Sequence, residues 1–79
     1  MKPVNRFNQL RPGDCARVTG FSGLPENYQR QLLSLGVTPG VELKVQQIAP
    51  LGDPIKIMVR GFRLSLRREE ANGILIEKV

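Results

Sequence analysis

The stretch that most constrains this chain lies between Ile55 and Leu66. Ile55, Ile57 and Val59 alternate with Lys56 and Met58; beyond Arg60-Gly61, Phe62, Leu64 and Leu66 alternate with Arg63 and Ser65. With Arg60-Gly61 as a two-residue turn, Val59 faces Phe62, Ile57 faces Leu64 and Ile55 faces Leu66, all on one face. Met58 then faces Arg63 and Lys56 faces Ser65 on the other. A slip of one residue would mix the two faces, so the pattern fixes the register of a β-hairpin. Arg-Gly is a poorer turn than Asn-Gly, because a type I′ turn holds its first central residue at φ > 0.

The remaining elements are short and punctuated. Leu10-Arg11-Pro12-Gly13 and Val37-Thr38-Pro39-Gly40 each read as a type II turn leading into a strand, with proline at φ near −60° and glycine at φ > 0. The first strand is Asp14 to Phe21, with Ala16 and Val18 on one face. Pro25 and Glu26 open a helix of about Pro25 to Leu35, and Gly36 ends it. Leu24, Tyr28, Leu32 and Leu35 form its apolar stripe. Val41, Leu43 and Val45 alternate as a half-buried strand. Gln46-Gln47 then shifts the phase before Ile48, as a β-bulge would. Ala49-Pro50-Leu51-Gly52-Asp53-Pro54 is a loop, since two prolines and a glycine cannot hold a ladder. Arg67 to Gly73 reads as a helical turn, and Ile74 to Val79 as a last strand able to close the sheet on an earlier one. About five short strands and one longer helix predict a mainly β fold, a small barrel whose closure removes exposed edges.

With 79 residues the chain is read as a single domain spanning 1–79. Its chemistry is sparse. There is no histidine, hence neither the commonest metal ligand nor the commonest general acid or base. The one cysteine, Cys15, can make neither an internal disulfide nor a cysteine-rich metal site, and is read as a structural strand residue. The seven carboxylates are scattered, and the adjacent Glu69 and Glu70 do not share a helical face. No G-x-x-x-x-G-K-[ST] run is present to cradle phosphates. Neither a signal-peptide core nor a stretch of about 20 apolar residues occurs, which points to the cytoplasm. A net charge of +5 suits an acidic protein surface, nucleic acid or an anionic membrane face. These absences exclude an enzyme built on this chain alone and leave binding.

Several runs, taken in order, resemble one family. Gly20-Phe21-Ser22, Tyr28 to Leu35 with Gly36, Pro39-Gly40, the loop Ala49-Pro50-Leu51-Gly52-Asp53-Pro54, and the strands through Leu64, Leu66 and Arg67 are similar to FeoA, the ferrous iron transport protein A family. The resemblance covers about Leu10 to Val79. It implies an SH3-like β-barrel of about five strands with a short helical insertion. It also implies a cytoplasmic accessory protein of the bacterial ferrous iron transport system, recruited to the inner face of the membrane. The implied partner is FeoB, a membrane transporter with a cytoplasmic GTPase domain, whose GTPase activity, assembly or iron uptake the small protein would modulate. No cofactor is implied. Transition metal binding is a term the family carries, but the residues show no ligand set for it. Residues 1–9 read as a loosely ordered N-terminal extension.

The residues themselves offer a docking surface. A thin barrel cannot bury every apolar residue of a short helix, and exposed apolar residues mark partner sites. Leu32 and Leu33 with Arg30 are the expected anchors on the helix, and Leu51 with Asp53 on the loop. Arg60 and Arg63 on the hairpin steer an acidic partner. The alternative is a small basic barrel that binds nucleic acid, as such folds do by stacking bases on aromatics beside a basic groove. Phe62 falls on the apolar face, away from Lys56, Arg63 and Arg67, and this weighs against it. Self-association is a third reading.

Overall fold

The computed structural model describes residues 6–79. A 3-10 turn (Phe7–Gln9) is followed by β1 (Cys15–Phe21), α1 (Glu26–Ser34), β2 (Glu42–Ile48), β3 (Ile55–Val59), β4 (Phe62–Leu66), α2 (Arg68–Asn72) and β5 (Ile74–Lys78). The strands form one antiparallel sheet in the order β4-β3-β2-β1-β5. The fold is mainly β, with α1 inserted between β1 and β2, as the residue pattern predicts.

The hairpin has the register its apolar pattern dictates. Ile55 pairs with Leu66, Ile57 with Leu64 and Val59 with Phe62. Arg60 sits at φ 52° and Gly61 at φ 83°, the two left-handed residues of a type I′ turn. Gln46 is the extra residue of the expected bulge in β2, where pairing passes from Val45–Ile57 to Gln47–Lys56. A second bulge, at Thr19 in β1, was not expected; it shifts pairing from Val18–Ile76 to Gly20–Leu75.

Both Pro-Gly turns form. The Asp14 N–H donates to the Arg11 carbonyl and the Val41 N–H to the Thr38 carbonyl, with Gly13 at φ 95° and Gly40 at φ 93°. Each turn glycine also donates across to a strand, Gly13 to the Val45 carbonyl and Gly40 to the Val18 carbonyl. The two similar turns therefore tie opposite ends of the β1–β2 pair.

One face of the sheet carries the core. Ala16 and Val18, Leu43 and Val45, Ile55, Ile57 and Val59, Leu66, Ile74 and Ile76 are all buried there, joined by Leu32, Val37 and Ala71. Phe7 and Leu10 are buried with them, at 1% and 3% exposure, and Arg6 bridges Leu75 at the outer side of β5. The expectation of a loosely ordered extension over 1–9 is corrected for residues 6–9: an apolar ring on a short 3-10 turn fills the open end of the core. Residues 1–5 lie outside the described residues.

The barrel is open along one seam. The last strand pairs with β1, as expected, while among the described residues β4 and β5 are not hydrogen-bonded to each other and remain the two outer strands. Five short strands curl enough to enclose one core layer without completing the ladder. Phe62 shows the consequence. It holds its expected pairing with Val59, yet it is 70% exposed, because it stands at the end of an outer strand beyond the reach of the core.

Candidate protein-docking surface

α1 is held to the sheet at one point. Leu32 is fully buried and is the helix's sole buried residue, so the expectation that it anchors a partner is corrected. The reason lies in how the helix ends. Gly36, at φ 96°, lets its N–H bond the Leu33 carbonyl while the Val37 N–H reaches back to the Leu32 carbonyl. This is the Schellman arrangement, which brings the side chains at those last two positions together. Val37 is also fully buried, so the motif drives Leu32 and Val37 into the core as a pair.

The rest of the expected stripe stays in water. Tyr28 is 42% exposed and Leu35 44%, flanking Leu32, while Leu33 is 40% exposed and lies about 100° round the helix. Arg30 projects outward and pairs with Glu26 one turn earlier, at 2.8 Å. So exposed an i,i+4 pair contributes little and leaves the guanidinium free to exchange partners.

The loop before β3 is a closed structure. The Gly52 N–H donates to the Ala49 carbonyl and the Ala49 N–H to the Pro54 carbonyl, which leaves Leu51 at the tip, 86% exposed. The Asp53 Oδ1 accepts the Arg68 N–H at 3.2 Å, at the first residue of α2, where a carboxylate also suits the helix dipole. Gly73 ends α2 as expected, at φ −88° and so without a left-handed conformation. A Cβ there would collide with Leu24 Cγ and lie 2.6 and 2.8 Å from its two methyls. Gly73 is small so that Leu24 can pack on it.

These contacts arrange the candidates into neighbouring groups. Tyr28 and Gln31 of α1 line one cleft with Arg67, Glu69 and Glu70 at the start of α2, and α2 in turn holds the loop through Asp53. At the other end of α1, the Arg60 side chain lies beside Gly36, its Cδ 3.9 Å from where a Cβ would stand. Arg63 is apart from both groups: with Lys56, Gln46, Gln47, Leu64 and Ser65 it lines a shallow cleft on the outward side of the hairpin. Tyr28 and Leu35, on the apolar stripe of the helix, and Phe62, on the apolar face of the hairpin, are all exposed. Cys15 lies exposed on the outward side of β1. Among the described residues no three of His, Cys, Asp and Glu gather as a metal site, and no helix is long and apolar enough to cross a membrane.

The fold recurs in known proteins. The family model for the FeoA domain matches residues 6–78. The FeoA protein of Chlorobium tepidum superposes with a TM-score of 0.86 at 39% identity, covering 94% of this chain and 70% of that one. A FeoA-like protein of Clostridium acetobutylicum does so with a TM-score of 0.84 at 32% identity, covering 100% and 91%. A Porphyromonas gingivalis protein described as an Fe(2+) transport protein A/Fe(2+) transporter FeoB fusion is 32% identical over 74 residues; the match takes in 94% of this chain but spans only 9% of that relative's length. A match that runs from Arg6 to Lys78 takes in every described element: this chain belongs to the FeoA family.

Proposed function

We propose that this protein is a cytoplasmic accessory of ferrous iron transport that binds FeoB and modulates its GTPase activity, assembly or iron uptake. The observation that carries the proposal is the fused relative, in which a segment like this chain is covalently part of a FeoB protein. Fusion holds two modules at a high effective concentration; a separate chain must obtain the same association from its surface. α1 presents Arg30 and Leu33 on its outer side and the part-exposed Tyr28 and Leu35 beside the buried Leu32; with the Leu51 tip these supply exposed apolar anchors beside charge, the composition that concentrates docking energy. A catalytic role finds no support in a chain without histidine. Binding is tested by co-purifying FeoB from the same organism with Leu33→Asp and Leu51→Asp variants, with and without a GTP analogue. Either substitution should weaken capture by about tenfold or more while circular dichroism stays unchanged. Undiminished capture by both folded variants would remove α1 and the loop tip from the interface.

A further inference from the structure

β4 is an outer strand with its hydrogen-bonding side open. Because Arg60-Gly61 is a two-residue type I′ turn, Val59 and Phe62 form a hydrogen-bonded pair, and such pairs alternate along the hairpin. Phe62, Leu64 and Leu66 thus direct their N–H and C=O groups at β3. Those of Arg63 and Ser65 point the other way, and among the described residues no backbone bond outside the β3–β4 ladder involves residues 62–66. The opposite outer strand differs, since Arg6 bridges β5 at Leu75.

The surroundings of this edge select a ligand. Between Pro54 and Glu69 the sequence places Lys56, Arg60, Arg63, Arg67 and Arg68 and no acidic residue. The ion pairs among the described residues, Arg17–Glu42, Arg30–Glu26 and Lys78–Asp14, all lie elsewhere. On the edge's inner side Phe62 is exposed and Leu64 half-buried; on its outer side stand Arg63 and Lys56. A short edge with a central cation is a common device against stray pairing. Here it is selective: a second copy of the chain would bring one cationic edge against another, whereas an acidic strand would be drawn in.

We infer that β4 accepts an extended acidic segment of a protein partner as a sixth strand. Its backbone bonds the N–H and C=O groups of Arg63 and Ser65, its alternate apolar residues lie on Phe62 and Leu64, and its acidic residues meet Arg63 and Lys56. The inference stands on the hairpin alone and does not require that the partner be FeoB.

The test titrates the 15N-labelled full chain with an acetylated peptide of about six residues alternating glutamate and valine. Shifts should centre on residues 62–66. The Arg63 and Ser65 amides should exchange fast in the free protein and be slowed by about tenfold or more on binding, while Leu64 and Leu66 should be slow throughout. Ser65→Pro removes only an outward N–H and should abolish binding in a folded protein. A peptide N-methylated at the pairing positions should likewise fail, without any change to the protein, and a lysine–valine peptide should not bind. Shifts spread over the arginines with no amide protection would overturn the inference. So would undiminished binding by folded Ser65→Pro or of the N-methylated peptide, or preferential binding of single-stranded RNA at the same edge, which would assign the exposed Phe62 and its arginines to base stacking instead.

Discussion

Single residues here are chosen for backbone geometry as much as for contacts. Arg60 occupies a left-handed conformation that costs a side-chain-bearing residue about 1–2 kcal/mol, less for asparagine. Arg60→Asn should therefore raise stability by about 0.5–1 kcal/mol in urea unfolding. If the arginine is kept for its charge beside the end of α1, the same variant should weaken partner capture while being more stable. A variant less stable than the parent would mean that the Arg60 side chain packs usefully against Gly36. Gly73 makes the complementary point. It is legible in the sequence as a glycine after a helical turn, but its reason is the Leu24 side chain lying on it, a neighbour 49 residues away along the chain that no local pattern names.

At the scale of the element, α1 and the hairpin contrast. The hairpin was readable in full because a period of two leaves only one register in which three apolar pairs coincide. α1 was readable as a helix, but its buried side was not. Tyr28, Leu32 and Leu35 share a stripe, and periodicity cannot tell how much of a stripe the rest of the fold will cover. The barrel covers one position, because the Schellman turn fixes the helix by Leu32 and Val37. Leu32→Ala should then cost about 3 kcal/mol, and Leu33→Ala should stay within about 0.5 kcal/mol, both measured by denaturant unfolding. Similar losses for the two would place Leu33 in the core as well. The bulge at Gln46 was legible as a broken alternation. The one at Thr19 leaves a similar but fainter trace, the odd spacing from Val18 to Phe21, which the intervening Gly20 blurs because it has no side chain to mark a face.

Across the whole molecule, a core built from one sheet face needs every large side chain it can recruit. Phe7 is the largest fully buried residue and comes from the first described turn, outside the sheet. Phe7→Ala should cost about 3–4 kcal/mol, a large share of the stability open to a domain this small, and should lower the urea midpoint accordingly. A negligible change would mean that the amino-terminal turn rides on the fold without supporting it. The sequence by itself determined the mainly β class, the hairpin register, both Pro-Gly turns and the family, because each of these rests on local sterics or on short-period patterning. It also set the chemistry, since residues that are absent cannot be supplied by folding. Only the tertiary structure decided which apolar residues face water. Leu32 went inward and Leu33 outward, Phe7 was recruited to the core, and Phe62 was left exposed on an unpaired outer strand. Those outcomes depend on how much area a five-stranded sheet can cover and where its ladder stops, quantities set by the packing of distant segments and carried by no single stretch of sequence.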